Sequence, residues 1–142
     1  MSTYDEPNQE QRYIKPEYPQ SEITSRIIAS AHQIHHNLGP GFEEVIYQRA
    51  LALELPAHGL EYSREVGIDV YYKDRKVGNK RVDFLIEGVM VEIKAKAQIE
   101  DVDVIQTLSY LKASGYEVGL LLNFGAKKLG IKRLIHTPEE KS

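Results

Sequence analysis

The stretch from Val118 to Ala126 is the most apolar uncharged window of the chain, and it is nine residues long. Its apolar side chains follow one another almost without interruption instead of alternating with polar ones. Such a run is typical of a β-strand that is covered on both faces. It is too short to cross a bilayer, which needs about 18 or more apolar residues in a row. The chain must therefore supply packing layers on both sides of a sheet.

Periodicity upstream and downstream of this run predicts the remaining elements. Apolar residues recur at spacings of three and four from Ser21 to Leu38 and again from Phe42, which predicts two helices separated by a Gly39-Pro40-Gly41 turn. Three strands follow, then a helix that Asp101 or Asp103 caps, and finally two more strands. The predicted strands are Tyr62–Lys73, Val77–Ile86, Val89–Ala95, Val118–Phe124 and an edge strand, Leu129–Ile135.

The resulting order, ααβββαββ, predicts an α/β domain with a central mixed β-sheet flanked by helices. The last helix joins the third strand to the fourth, so these two strands should be parallel. A length of 142 residues fits one domain. We expect this domain to occupy residues 21–137, between a flexible polar N-terminal tail of residues 1–20 and a short C-terminal tail of residues 138–142.

Composition limits the chemistry. The chain has no cysteine, which excludes disulfides and thiolate metal sites. The N-terminus has no apolar segment after a basic start, so we expect no secretory signal and a cytoplasmic location. Within residues 104–137, five basic residues stand against one acidic residue, although the net charge of the chain is −3. This favours either an anionic partner or a merely solvated face. The basic residues are Lys112, Lys127, Lys128, Lys132 and Arg133.

A pair of acidic residues follows from the predicted hairpin around Glu87-Gly88. With these two residues as the turn, Phe84 faces Val91 and Asp83 faces Glu92. Like charges directly opposite each other destabilise a sheet unless a third group compensates them. A divalent cation is the obvious candidate, because hard cations bind carboxylate oxygens and also backbone carbonyls such as that of Ile93.

Lys94 should lie on the same side of the sheet as Glu92, two residues earlier. This arrangement suits phosphodiester hydrolysis, in which a lysine holds the attacking water or stabilises charge on the phosphate. The alternative interpretation is a surface salt bridge from Lys94 to Glu92 or Asp83.

The motifs at these positions resemble a known family. Arg81-Val82-Asp83 and Val91-Glu92-Ile93-Lys94 are similar to the core of the PD-(D/E)XK nuclease superfamily, and the run from Gly41 to Tyr47, GFEEVIY, resembles the signature of its GxxExxY branch. The resemblance covers about residues 22–136. It implies a restriction-endonuclease-like core and a site that depends on Mg²⁺, with Mn²⁺ as a substitute.

The resemblance also implies roles for individual residues. Asp83 and Glu92 would be metal ligands, Lys94 the catalytic lysine, and Glu44 an acidic helix residue that completes the site and the metal's ligands. Gln106 and Tyr110 match a Q-x-x-x-Y helix motif near the active site.

Three functional hypotheses remain open at this stage. The first is a nuclease acting on nucleic acid, with DNA favoured over RNA and no membrane partner. The second is a binding module that keeps the fold without turnover, and the third is a subunit that depends on a homodimer or a partner protein. The histidines His32, His35 and His36 do not predict a zinc site, because no fourth ligand is near in sequence. We expect a structural hydrogen bond from His35 and an exposed side chain at His36.

Overall fold

The computed structural model describes residues 19–137 of the chain. The expected tails therefore lie almost entirely outside the described residues, and their flexibility stays a prediction. Residues 19 and 20 contact the domain: the Pro19 carbonyl accepts a hydrogen bond from Arg133, and the Gln20 side chain donates to the Glu87 carbonyl at 3.4 Å. Among the described residues, no helix is both long and apolar enough to span a membrane.

The predicted order of elements is confirmed. Helix α1 (Ser21–Leu38) and helix α2 (Glu44–Glu54) come first, and a short 3₁₀ helix (Leu55–His58) extends α2. Helix α3 (Asp101–Ser114) lies between the third and fourth strands. The strands are β1 (Tyr62–Tyr72), β2 (Arg75–Ile86), β3 (Val89–Lys94), β4 (Val118–Asn123) and β5 (Gly130–Ile135).

The five strands form one sheet in the order β1-β2-β3-β4-β5. Only β3 and β4 are parallel, as predicted from the helix that connects them, and the other neighbours are antiparallel. Every residue of β4 is buried, as expected for its apolar run. The predicted register of the β2–β3 hairpin is confirmed by the pairs Ile86–Val89 and Phe84–Val91.

Helices cover both faces of the sheet. On the first face, α1 and α2 pack through residues such as Ile27 and Leu51 against Phe84, Val91 and the odd-numbered side of β3. We call this the α1–α2 face. On the other face, which we call the α3 face, Leu111 packs against Met90, Ile68 and Val82. Met90, Glu92 and Lys94 alternate with the buried residues of the α1–α2 face, so they belong to the α3 face.

Helix α3 packs on the sheet with a partly polar side. Its buried residues are Asp103, Thr107 and Leu111, whereas Ile105 is 63% exposed. The predicted cap was wrong: Glu100 is the N-cap, and Asp103 closes a capping box by accepting the Glu100 N–H at 2.8 Å. On the sheet side, Asp103 meets two cationic partners, Lys94 and Lys96.

Candidate functional site

The two acidic residues of the hairpin lie where the hydrogen-bond ladder between β2 and β3 stops. Backbone pairing is regular as far as Phe84–Val91. Beyond it the carboxylates take over: the Asp83 N–H donates to Glu92 Oε1 at 3.3 Å, and the Ile93 N–H donates to Asp83 Oδ2 at 2.7 Å. Side chains therefore link the two strands at the point where the main chains separate. Asp83 and Glu92 are neighbours, as the register predicts.

At the same point, the side chains of β2 switch from one face of the sheet to the other. Phe84 packs on the α1–α2 face, whereas Val82, two residues earlier, packs on the α3 face. Residues two apart on a regular strand share a face, so the alternation is interrupted at Asp83. Glu65, between the paired residues Arg64 and Val66, has a φ of 51°, which is unusual for a residue with a side chain. A local irregularity in both strands thus surrounds Asp83, as is common beside active sites.

Burial makes both carboxylates hard to ionise. Glu92 is 5% exposed, and burial together with the charge of Asp83 raises the pKa of Glu92 to about 8. Burial also raises the pKa of Asp83, although the hydrogen bond from Ile93 and the charge of Lys94 oppose that effect. Two neighbouring carboxyl groups that resist ionisation form a donor set that a divalent cation would relieve.

The carbonyl of Ile93 points to the same place. The N–H and C=O groups of one strand residue are directed at the same neighbouring strand. Because the Ile93 N–H reaches Asp83, the Ile93 carbonyl is directed toward β2 beside the acidic pair. The three oxygen donors predicted from the hairpin therefore lie along one gap between two strands. The residues present fit a hard cation such as Mg²⁺.

Lys94 forms an ion pair with Asp103, which the sequence predicted only as a helix cap. Its Nζ lies 4.0 Å from Asp103 Oδ1, and its side chain is 19% exposed. Asp103 also binds Lys96 Nζ through both oxygens, at 2.9 and 3.2 Å. The alternative interpretation of a Lys94 ion pair with Glu92 or Asp83 is wrong, because the ion pair goes to α3. The spacing of Glu100 and Asp103 resembles that of a capping box, and this is the sequence signal that could have identified Asp103 as an inward-facing residue.

Glu44 is not assembled with the other two carboxylates. Within residues 19–137, no group of three or more Asp, Glu, His or Cys side chains is placed to hold a metal ion together. The expected convergence of three carboxylates is therefore wrong for this structure. The physical reason is the placement of α2, which packs on the sheet through Tyr47 and Leu51 and leaves Glu44, its first residue, exposed.

The two residues of the Q-x-x-x-Y motif on α3 differ in their surroundings: Tyr110 packs on the domain, whereas Gln106 is exposed. Tyr110 is half-buried against the cluster around Met90. Burial, followed by the charges of Glu92 and Asp83, raises the pKa of Tyr110. Gln106 is exposed, because the helix is turned with Asp103 and Thr107 toward the sheet.

The tyrosine of the GFEEVIY run clamps the turn before α2. The Tyr47 hydroxyl donates to the Gly39 carbonyl at 2.6 Å and accepts the Phe42 N–H at 3.1 Å. Its ring is fully buried and stacks on Phe124 with centroids 4.8 Å apart. Gly41 within this turn has a φ of 117°, which favours glycine. Gly41 and Tyr47 thus have structural explanations that the motif alone did not give.

The histidines of α1 behave as expected. His35 Nε2 forms a hydrogen bond with the Ala126 carbonyl at 2.9 Å, which ties α1 to the loop after β4, and His36 is exposed.

The fold is a five-stranded mixed sheet with helices on both faces. Its acidic pair lies where the two strands of a hairpin separate, and a lysine follows that pair. Together these features define a class of nuclease-like α/β domains. The chain matches the family model of the PD-(D/E)XK nuclease superfamily over residues 21–134, and it belongs to that superfamily. Members of this superfamily are usually nucleases, which are hydrolases, and they generally use divalent metal ions.

A solved structure supports the fold. The chain is similar to the crystal structure of SSO0001, with a TM-score of 0.52 and 18% sequence identity. The similarity covers 92% of this chain and 62% of SSO0001, so the chain spans less than two thirds of that protein. At this identity the likeness concerns the fold alone. No curated protein matches the chain.

Proposed function

We propose that this chain is a metal-dependent nuclease of the GxxExxY branch, which hydrolyses phosphodiester bonds of nucleic acid with Mg²⁺ or Mn²⁺. The observation that carries the proposal is the pair Asp83 and Glu92, two neighbouring carboxyl groups whose pKa values are raised by burial at the point where two strands separate. When both carboxylates are ionised they repel each other, and a bound cation would remove that repulsion. Nucleic acid as the partner follows from the superfamily, and we propose DNA as the first substrate to test.

The residues of the site have separate tasks. Asp83, Glu92 and the Ile93 carbonyl would hold the metal ion, which when bound polarises the phosphate and lowers the pKa of water. Mg²⁺ usually keeps several waters and needs only one or two carboxylates from the protein. Glu44 would then act only through such waters. Its exposed position on α2 is compatible with contact to the metal ion through water.

Lys94 is the proposed catalytic residue. Its Nζ is held near Asp103 at 4.0 Å, so the side chain extends over the α3 face and not into bulk solvent. From there the ammonium group can orient the attacking water or stabilise the charge that develops on the phosphate. Tyr110, on α3, and Gln106, one helical turn away, are proposed to contact the substrate and not the metal. A cytoplasmic location remains part of the proposal and is supported by the absence of cysteine.

The test is a cleavage panel of plasmid DNA, single-stranded DNA and RNA in Mg²⁺, Mn²⁺, Ca²⁺ or chelator. We expect cleavage in Mg²⁺ and Mn²⁺, little in Ca²⁺ because its looser coordination positions water poorly, and none in chelator. Lys94→Ala should lower the rate by about 10²-fold or more while leaving metal binding intact. Lys76→Ala, at an exposed position on β2, is the matched control and should retain activity.

Two outcomes would contradict the proposal. Activity that persists in Lys94→Ala would indicate a contaminating nuclease. An inactive wild type with no metal-induced shift in melting temperature would favour a binding module that retains the fold. If activity appears only when a second protein or a dimer forms, as size measurements would show, the chain is a partner-dependent subunit.

A further inference from the structure

The distal part of the β1–β2 hairpin, residues 69–81, concentrates basic and aromatic side chains in a chain of net negative charge. We call it the hairpin arm. It carries five basic residues against two acidic ones, Asp69 and Asp74. Two tyrosines near its tip, Tyr71 and Tyr72, are 61% and 63% exposed. Exposed aromatic rings among basic residues are the composition of a surface that binds single-stranded nucleic acid.

The register shows that the two faces of the hairpin arm differ. Tyr72 pairs with Arg75, and Ile68 pairs with Lys80, so Tyr72, Arg75 and Lys80 lie on one face together with Ile68. We call this the basic face. Tyr71 is adjacent to Tyr72, so Tyr71 and its partner Lys76 lie on the opposite face. A bulge between Val70 and Tyr71 shifts the register by one residue and brings Arg75 and Lys80 onto the same face.

Ion pairing separates the two faces further. On the opposite face, Lys76 lies 3.2 Å from Asp69 and Arg81 lies 3.8 Å from Glu65, so acidic groups compensate both cations. On the basic face, neither Arg75 nor Lys80 forms an ion pair with any residue in the range 19–137. The basic face therefore presents uncompensated positive charge beside one exposed ring. Lys73 Nζ adds a further cation, 5.4 Å from the centroid of the Tyr72 ring.

The basic face lies on the same strand as Asp83, β2, but at its other end. Ile68, on this face, packs with Met90 on the α3 face of the sheet, where Glu92 and Lys94 also lie. Along β2, eight residues separate Arg75 from Asp83, a span of about 27 Å at the rise of a strand. Ile68 and Val82 are buried against Leu111 of α3, so the exposed part of the basic face ends near Lys80.

We propose that the basic face of the hairpin arm binds single-stranded nucleic acid, with a base stacked on Tyr72 and phosphates at Arg75 and Lys80. Lys73 covers one side of the Tyr72 ring, which leaves the other side for a base. The bases of a duplex are already stacked on each other and cannot use that ring, so a single strand is the better partner. The binding itself does not require cleavage, so this inference goes beyond the proposed function and does not depend on it.

The experiment measures the affinity of the full chain for a labelled oligodeoxythymidylate by fluorescence anisotropy in chelator, where no cleavage occurs. Tyr72→Ala should weaken binding by about fivefold or more, the usual effect of removing one stacked ring. Tyr72→Phe keeps the ring and should retain the affinity. Tyr71→Ala removes an equally exposed ring from the opposite face and should change the affinity by less than about twofold.

Salt dependence tests the charges. The double variant Arg75→Gln/Lys80→Gln should lower the slope of log affinity against log salt concentration by roughly 1.4, since each phosphate contact on a single strand contributes about 0.7. The double variant Lys76→Gln/Arg81→Gln removes the same net charge from the opposite face and should leave the slope unchanged. This comparison separates local phosphate contacts from the overall charge of the protein.

Three results would overturn the inference: unchanged binding by Tyr72→Ala, equal losses from Tyr71→Ala and Tyr72→Ala, or tighter binding of a duplex of the same sequence than of the single strand. The outcome is independent of the nuclease assay. A protein that binds through the basic face but never cleaves would retain this inference and contradict the proposed function. An active nuclease whose affinity for the single strand is unchanged in Tyr72→Ala would support the proposed function and contradict this inference.

Discussion

Replacing Glu92 by Gln should make the protein more stable at neutral and alkaline pH when no metal is present. Burial and the neighbouring Asp83 raise the pKa of Glu92 from 4.5 to about 8. The folded state therefore binds more protons than the unfolded state between these two pH values. In this case the free energy of unfolding falls as the pH rises from about 4.5 to about 8. Glutamine has no proton to lose, so the variant should lack this part of the pH dependence.

The size of the effect follows from the same shift. Each pH unit inside the window costs the wild type about 1.4 kcal/mol, which amounts to several kcal/mol by pH 8 as an upper bound. The hydrogen bond from the Asp83 N–H is retained, because the glutamine side chain keeps an oxygen acceptor at the position of Glu92 Oε1. The variant and the wild type should therefore have similar stability near pH 5 and diverge above it.

Urea unfolding of both proteins from pH 5 to pH 8.5, in chelator and in Mg²⁺, measures this difference. A cation that binds the ionised pair should recover the lost wild-type stability, by about 2.7 kcal/mol at a concentration one hundred times its dissociation constant. Glu117→Gln makes the same chemical change at an exposed position and should follow the wild type. The reasoning is refuted if wild-type stability in chelator does not fall across the window, or if Glu92→Gln falls in parallel with it.

Three further predictions concern the turn before α2, the ion pair of Lys94 and the N-terminal tail. Tyr47→Phe removes two hydrogen bonds from the turn before α2 and should lower the free energy of unfolding by about 1–3 kcal/mol, measured by urea unfolding; a loss below about 0.5 kcal/mol would contradict the clamp. Asp103→Asn should weaken the hold on Lys94 and Lys96, lowering both stability and kcat, and unchanged kcat would show that Lys94 needs no positioning. A chain that begins at Pro19 should melt within a degree or two of the full chain, and a loss of several degrees by calorimetry would show that residues 1–18 pack on the domain.

Local patterns determined much of this fold. The spacing of apolar residues predicted α1 and α2, and the apolar run of β4 predicted a strand covered on both faces. The hairpin register followed from the two-residue turn at Glu87-Gly88, where both residues have positive φ. That register then placed Asp83 beside Glu92. These features depend on residues close in sequence, so a single sequence contains enough information to predict them.

The tertiary structure decided what depends on distant segments. No local pattern marks the place where β2 and β3 part, because the ladder ends through hydrogen bonds that the Asp83 and Glu92 side chains make across the hairpin. The ion pair of Lys94 with Asp103 requires α3 to pack back over the sheet, and the same packing leaves Ile105 in solvent although it is apolar.

The exposed Glu44 illustrates the same limit. Its motif predicts a carboxylate at the site, but its position depends on how Tyr47 and Leu51 seat α2 on the sheet. The sequence by itself therefore determined which residue types stand next to each other along and across neighbouring strands. The three-dimensional arrangement decided which of them share one site, because helix packing sums many weak contacts between remote residues, and these contacts leave no periodic signal.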